Sequence, residues 1–252
     1  MSQHSLYMIA EAMALGAFIL SLPKGTLILS RFLFLAYILV GAAYVFGRYH
    51  GSFPMTPMYL GTAATPPALA LLGALWLGAR VAPGKLFTYR SLCFMVFFVG
   101  LGPLLFPKDF YLPFLKTATF FSHAHLLFTI LGKAAFLLSG IQALDYLLKS
   151  RGGKDPGPPS FFPALVLGFA FWTLSMFSGE AWSYLGWGLP VVWDDAVIVT
   201  YMATWFFYIA LLHLHLAGGF PPKARAAFSA AGVPWLLAVN CVPDLGPMRP
   251  LW

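Results

Sequence analysis

Long apolar segments, joined by short polar links, limit what this chain can fold into more than any other feature. Of its 252 residues, 60% are hydrophobic and only 9% are charged. A helix needs about 20 apolar residues to cross the hydrocarbon core of a membrane, whereas barrel strands alternate apolar and polar residues. Segments of the required kind are residues 5–22, 32–47, 66–82, 92–107, 120–148, 161–178, 196–217 and 226–243. We therefore expect an all-α integral membrane protein with about eight transmembrane helices.

We expect one polytopic membrane domain over residues 1–252, because none of the polar links could hold a separate soluble domain. The first apolar segment lacks a basic flank before it, so it is expected to remain as a helix and not to be a cleaved signal peptide. The glycine and proline turn at residues 150–160 separates a front half, 1–150, from a functional back half that overlaps it, at about 115–252. Four prolines after residue 53 predict an irregular link there: Pro54, Pro57, Pro66 and Pro67.

The stretch from Gly179 to Asp195 reads GEAWSYLGWGLPVVWDD and lies between two strongly apolar segments. We predict that it is a loop. Its tryptophans, Trp182, Trp187 and Trp193, offer flat apolar surface with an indole donor. Such residues either anchor a protein at the membrane interface or support a planar ligand.

Basic residues are distributed unevenly between the two sides that alternating helices define. With the N-terminus outside, the cytoplasmic ends carry ten: Lys24, Arg31, Arg80, Lys85, Arg90, Lys149, Arg151, Lys154, Lys223 and Arg225. The outer ends carry four: Arg48, Lys108, Lys116 and Arg249. This asymmetry follows the positive-inside rule and puts both termini and the tryptophan-rich loop outside. Because the charges are scattered singly, the net charge of +7 does not indicate a nucleic-acid partner.

Two pairs of histidines lie at different depths in the predicted membrane helices. His123 and His125 begin the fifth apolar segment, and either could ligate a heme iron or simply contact water at the interface. His213 and His215 end the seventh segment, about 28 Å from the loop at helical rise, so they cannot share one iron with His125. Alternatively, His213 and His215 only end the helix, because cationic side chains are favoured at a helix C-terminus.

Three further groups of polar residues have simpler structural explanations. Lys133 and Glu11 lie at similar depth inside their segments, so we expect them to pair, although Lys133 could instead reach a ligand carboxylate. Either Asp194 or Asp195 is expected to cap the seventh helix. Cys93 and Cys241 stand alone without a CxxC or CxxCH motif, so any heme would be bound noncovalently.

The spacing of Gly179, Trp182, Trp187-Gly188 and Trp193-Asp194 resembles the tryptophan-rich signature of the heme-handling proteins of cytochrome c biogenesis, the CcsA and CcmC type. The resemblance continues in HLLFTILGKAAF (125–136), which is similar to the family's helix with an outer histidine. It continues also in TWFFYIALLH (204–213), in GSFPMTPMY (51–59) and in the pair Val239-Asn240. These motifs follow the family order over most of the chain.

The resemblance implies that the loop presents heme b at the outer face and that outer histidines ligate it. His125 matches the first outer ligand, with His123 as the other candidate, and His213 matches the histidine that receives heme from the membrane. Trp182, Trp187, Trp193 and Asp194 would contact the heme. Apocytochrome c, membrane lipid and a second membrane subunit are the implied partners, in a bacterial cytoplasmic or equivalent energy-transducing membrane.

The chain also departs from the family pattern. No histidine follows Val239-Asn240, and Gly246 occupies roughly the place of the family's second outer histidine. Met248 is the nearest axial ligand, with His50 and His4 as alternatives from other outer segments. Val191 replaces one family tryptophan, and Lys133 replaces an aromatic residue. The sequence therefore resembles a divergent member.

The leading hypothesis is a heme-handling subunit that presents heme at the outer face for attachment to apocytochrome c. As part of a heme-attachment system, it would act by positioning the heme. No catalytic nucleophile is assigned to this chain. The second is a b-type heme subunit of a respiratory complex, with His125 and His213 as ligands at two levels. The third is a heme-free transporter of small molecules, in which Glu11 and Lys133 line the path.

Overall fold

The computed structural model describes residues 3–54, 60–78, 81–106, 119–152, 159–191, 193–217 and 219–242. The chain divides into two compact units. Unit 1 comprises Met1–Ala118 with Asp244–Trp252, and unit 2 comprises Thr119–Pro243. Met248 and Gly246 lie outside the described residues. The expectations about a second outer ligand near the C-terminus are therefore still predictions.

Unit 1 contains four helices in its described part, which are α1 (Gln3–Ser21), α2 (Leu27–Ser52), α3 (Leu60–Leu77) and α4 (Leu86–Leu105). Buried hydrogen bonds join them across the apolar interior. Ser30 donates to the backbone oxygen of Ala17 at 2.6 Å and shares a 2.8 Å hydrogen bond with Tyr89. Because such polar groups lie within apolar helices, each needs a partner inside the protein.

Unit 2 contains the other four described helices, which are α5 (Phe120–Arg151), α6 (Phe162–Trp187), α7 (Ala196–Leu216) and α8 (Pro222–Leu236). A π-helical segment, Leu237–Cys241, continues α8. Glycines let α5 approach its neighbours closely: a methyl group on Gly132 would lie 3.3 Å from Trp172, and one on Gly140 would overlap the side chain of Val233. Small residues of this kind bring membrane helices into van der Waals contact.

The all-helical membrane architecture is confirmed. Seven helices, α1 to α7, are long and apolar enough to cross a membrane, with α4 counted together with the short turn before it. With 15 residues, α8 is shorter than these spans. An expected count of about eight spans is therefore not confirmed, although the described residues do form eight α-helices.

The link expected to be irregular is partly helical instead. Pro66 and Pro67 lie inside α3 and not before it. Both are buried, and Pro67 packs against Gly41 of α2, where an added methyl group would lie 3.0 Å from the ring. Close packing against a neighbouring helix offsets the backbone hydrogen bonds that prolines cannot make, which is common for prolines in membrane helices.

The stretch from Gly179 to Asp195 is also not a single loop. Residues up to Trp187 continue α6, and the helix ends at Gly188, which has a φ of 75° and whose N–H donates to the backbone oxygen of Tyr184 at 2.8 Å. A glycine in the left-handed region is a common helix terminator, because it has no Cβ to clash there. Only the part after Gly188 connects α6 to α7.

Candidate functional site

One end of unit 2, where α5 begins, α6 ends and α7 begins, is called here the tryptophan end. The start of α5 is fixed by a capping box, since Thr119 accepts from the backbone N–H of Ser122 at 3.3 Å and Ser122 accepts from that of Thr119 at 3.3 Å. Reciprocal caps satisfy backbone donors that the first turn leaves without partners. The caps set the position of the first histidine pair on α5.

His125 is held by polar groups of α6. Its Nδ1 lies 2.9 Å from the backbone oxygen of Ser175 and 3.1 Å from the Ser175 hydroxyl, which in turn shares a 2.6 Å hydrogen bond with Thr129. A carbonyl oxygen only accepts, so Nδ1 carries the proton, and in the neutral ring the lone pair is on Nε2. This is the arrangement in which an imidazole can ligate a metal through Nε2 while its other nitrogen is held in place.

Aromatic rings surround the same imidazole. Its centroid lies 5.9 Å from that of Trp182 on α6 and 5.5 Å from that of Tyr201 on α7. The Tyr201 ring stacks on Trp172 at 4.6 Å, and the Trp172 indole N–H donates to the Tyr201 backbone oxygen at 3.1 Å. Three helices therefore define the orientation of one histidine.

An aromatic surface continues from this histidine toward the end of α6. The rings of Trp182 and Trp187 meet edge to face at 5.7 Å, and Trp187 is 52% exposed. After the helix, Trp193 is 64% exposed, and Asp194 is exposed as well. The buried indole N–H of Trp182 has no hydrogen-bond partner among the residues that the structure describes. Exposed indoles beside an orphaned donor are suited to a planar ligand with polar substituents.

Gly179 explains why α6 can pass so close to His125. A methyl group at this position would lie 2.9 Å from Nδ1 of the imidazole. That distance is shorter than ordinary van der Waals contact, so a larger residue would displace the ring or the helix. Glycine at the start of the tryptophan-rich stretch therefore has a packing role at the candidate site.

Lys133 lies two turns along α5 from His125, on the same side of the helix, and is only 2% exposed. Its Nζ lies 5.9 Å from the centroid of Tyr201, whose other neighbours include His125. The expected ion pair with Glu11 involves the other unit and stays a prediction. Within unit 2, the contact with Tyr201 puts a cation near the ring that borders the histidine.

The second histidine pair lies at the opposite end of unit 2 and the two side chains differ. His213 is exposed, and its Nδ1 lies 2.8 Å from the backbone oxygen of Ile209. His215 instead stacks on Phe162 at 4.7 Å, with its Nδ1 3.0 Å from the backbone oxygen of Leu211. Its Nε2 is buried and has no hydrogen-bond partner in the described ranges. The two pairs of histidines thus occupy separate levels.

Several predicted residues have other environments. His123 is partly exposed on the first turn of α5. Asp195, and not Asp194, caps α7, because its Oδ1 accepts from the backbone N–H of Val197 at 2.8 Å. Neither Cys93 nor Cys241 takes part in a disulfide bond. Among the described residues, no group of three or more histidine, cysteine or acidic side chains could hold a metal ion.

Sequence reasoning did not identify Ser175, Thr129 and Tyr201 as part of this site. Each is a polar or amphipathic residue inside a strongly apolar helix, which is the signal that could have singled them out. Asn240, noted only as a family counterpart, donates from Nδ2 to the buried Thr204 hydroxyl at 2.6 Å. The π-helical segment after α8 is thereby joined to α7.

Curated relatives resemble part of the chain. It is 29% identical over 80 residues to the cytochrome c biogenesis protein CcsA of Prochlorococcus marinus strain MIT 9312, and 28% identical over 80 residues to that of strain MIT 9301. Each match covers 32% of this chain and only 25% of the relative's length. A family model described as cytochrome C assembly protein matches residues 11–238. This match spans most of the chain, which therefore belongs to the cytochrome C assembly protein family and is an integral membrane protein.

Proposed function

We propose that this protein binds heme at the tryptophan end of unit 2 and presents it there for the assembly of cytochrome c. The observation that carries the proposal is the environment of His125. Its Nδ1 donates to the backbone oxygen of Ser175 at 2.9 Å, so in the neutral ring the lone pair is on Nε2, the nitrogen through which an imidazole held in this way ligates a metal. Imidazole is a common axial ligand of heme.

The surroundings of this histidine support a heme as the ligand. Trp182 and Tyr201 border the imidazole, Trp187 contacts Trp182, and Trp187 and Trp193 are exposed indoles at the same end of unit 2. A porphyrin needs wide apolar contact on its faces and polar partners at its edge. The buried indole N–H of Trp182, which has no partner within the described part of the chain, and the exposed carboxylate of Asp194 are polar groups at the same end of unit 2.

The role of His213 in this proposal is to receive heme from the bilayer. Its ring is exposed on α7, and its Nδ1 contacts the backbone oxygen of Ile209 at 2.8 Å, so Nε2 would carry the lone pair here too. An exposed imidazole on a membrane helix can meet a ligand that arrives through lipid. Met248, His123, His50 and His4 are candidates for the second axial position at the outer site.

The proposed assembly includes apocytochrome c and a second membrane subunit. The thiols that react with the heme vinyl groups belong to the apocytochrome, and this chain supplies position and ligation. The protein would act in the cytoplasmic membrane of a bacterium or in an equivalent energy-transducing membrane, with its tryptophan end outside. Heme b is then a noncovalently bound cargo.

Absorption spectroscopy of the purified protein tests the proposal. Protein produced with ample heme is expected to show a Soret band. The variant His125→Ala is expected to shift or abolish the Soret absorption of the heme bound at the outer site. His213→Ala and Met248→Ala test the other ligands, while Gly51→Ala, where nothing lies within 4 Å of the added methyl group, serves as a control. A wild-type protein without a Soret band would contradict heme handling and favour a heme-free transporter.

A second function, electron transfer through b-type hemes, is favoured by the presence of histidines at two levels. His125 is at the tryptophan end, and His213 and His215 are at the opposite end of unit 2. Deletion of the gene separates the two functions. Loss of all covalent cytochrome c supports assembly, whereas intact cytochrome c with one respiratory activity missing supports electron transfer.

A further inference from the structure

Buried polar groups without partners also lie at the opposite end of unit 2, where α5 and α7 end and α6 and α8 begin. This end is called here the arginine end. Among the described residues, the buried atoms here without a hydrogen-bond partner are Nε of Arg225, both amide atoms of Gln142 and Oγ of Ser229, together with Nε2 of His215. Each such atom within an apolar bundle costs free energy unless a partner binds to it.

Arg225 lies at the first turn of α8 and reaches back to α7. Its Nη2 donates to the backbone oxygen of Ala217 at 3.2 Å, in an exposed contact, while its Nε is buried. The guanidinium therefore has one edge toward the surface and one toward the interior. Ser229 follows one turn later on the same side of α8 and is 2% exposed.

Gln142 on α5 approaches the same region. Ser139 donates to the backbone oxygen of Phe161 at 2.9 Å, and the ring of Tyr146 lies 5.8 Å from that of Phe161. Gln142 lies between these two residues at helical spacing, so it shares their side of α5, and it is 1% exposed. Phe161 packs in one cluster with Ala143 and Ala226, so α5 and α8 meet here.

The hydrogen-bonding capacity of these groups indicates the class of ligand. Arg225 can only donate, carries a full positive charge and matches a carboxylate geometrically. The amide nitrogen of Gln142 and the hydroxyl of Ser229 are two further donors. Asp145, the acidic residue one turn after Gln142, accepts from Lys149 at 2.6 Å. The set therefore has three donors for an anionic oxygen group.

We propose that the arginine end of unit 2 binds a carboxylate, and that Arg225, Gln142 and Ser229 recognise a propionate of heme. This inference rests on the proposed function, because heme is the carboxylate ligand that function supplies. The three donors form hydrogen bonds with the propionate at the edge of the porphyrin, and a histidine ligates the iron. They would select heme by its acid groups as it meets the protein at this end.

Binding of heme and of heme dimethyl ester to the purified full-length chain, in neutral detergent, tests the inference. The ester keeps the iron and the ring but lacks the carboxylates. The wild type is expected to bind free heme at least about tenfold more tightly, as one charged hydrogen bond would give. Arg225→Gln is expected to remove most of that preference, and Ser229→Ala is expected to reduce it about threefold.

Arg90→Gln is the matched control, because Arg90 is a unit 1 arginine that also donates to a backbone oxygen, that of Ser21, at 2.9 Å. It is expected to keep the wild-type preference. A wild type that binds no heme overturns the proposed function itself. Binding of heme and ester with equal affinity, or an unchanged preference in Arg225→Gln, overturns only the carboxylate site. If Arg225→Gln does not fold, an unchanged preference in Ser229→Ala overturns it.

Discussion

The imidazole of His125 is held on two sides, by the backbone oxygen of Ser175 and by the ring of Tyr201. The first contact fixes which nitrogen carries the proton, and the second limits rotation of the ring. A ligand histidine gains affinity when its orientation is set before the metal arrives. The neighbours of His125 therefore matter as much to the proposed function as the histidine itself.

Gly179→Ala tests this restraint at a single residue. The added methyl group would lie 2.9 Å from Nδ1 of His125, so the imidazole must move away from Ser175. We expect a loss of about 1–3 kcal/mol in the free energy of unfolding, typical of overpacking, together with a shifted heme spectrum. Thermal unfolding and absorption spectra measure the two effects.

Gly51→Ala provides the comparison, because no atom lies within 4 Å of its added methyl group. This variant is expected to behave like the wild type. An unchanged spectrum and unfolding temperature in Gly179→Ala would show that His125 does not depend on close passage of α6.

The end of α7 near the tryptophans depends on a single cap. Asp195 accepts from the backbone N–H of Val197 at 2.8 Å, whereas the adjacent Asp194 is exposed and does not cap the helix. We expect Asp195→Ala to lower the free energy of unfolding by about 1 kcal/mol and Asp194→Ala to leave it nearly unchanged. Equal losses in the two variants, measured by unfolding in mild detergent, would contradict the assigned cap.

Packing between α5 and α6 depends on close contact at Gly168. A methyl group there would lie 2.6 Å from the ring of Phe136, which is fully buried and stacked on Tyr208 with centroids 3.4 Å apart. Because the ring has no free side, Gly168→Ala is expected to destabilise the protein by about 1–3 kcal/mol. Ala170→Leu, at an exposed position of the same helix, is the control.

A double variant checks the cause of that loss. If the clash with Phe136 is responsible, Phe136→Leu combined with Gly168→Ala should cost less than the sum of the two single variants, because the shorter side chain leaves room for the methyl group. Strict additivity in unfolding experiments would mean that the destabilisation arises elsewhere in α6.

Hydropathy predicts the helices well but their ends poorly. The apolar run of α6 stops near residue 178, yet the helix continues to Trp187 because Gly188 is the residue that terminates it. The buried prolines of α3 wrongly predict an irregular link for a similar reason, since helix packing compensates for the hydrogen bonds that they cannot make. His125 could be predicted because it matches a motif. Ser175 and Tyr201 could be noticed only as polar residues in apolar helices, and their contacts with His125 could not be predicted, because these join residues 50 and 76 positions apart on other helices.

At the scale of the whole molecule, unit 2 alone contains both histidine levels and the tryptophan end. Its basic residues are concentrated at the opposite end, where Lys149, Arg151, Lys223 and Arg225 lie near the helix termini. At the tryptophan end, every charged side chain between Gly179 and Asp195 is acidic. The positive-inside rule then predicts that the arginine end is cytoplasmic and that the tryptophan end is outside.

Cysteine labelling of spheroplasts with a membrane-impermeant maleimide tests this orientation. In a background with Cys93→Ala and Cys241→Ser, Leu189→Cys at the tryptophan end is expected to react in intact spheroplasts, because Leu189 is 58% exposed. Arg151→Cys, exposed at the end of α5, is expected to react only after the membrane is permeabilised. The opposite pattern would put the tryptophan surface in the cytoplasm, where it could not present heme to an apocytochrome outside, and the proposed direction of heme delivery would be wrong.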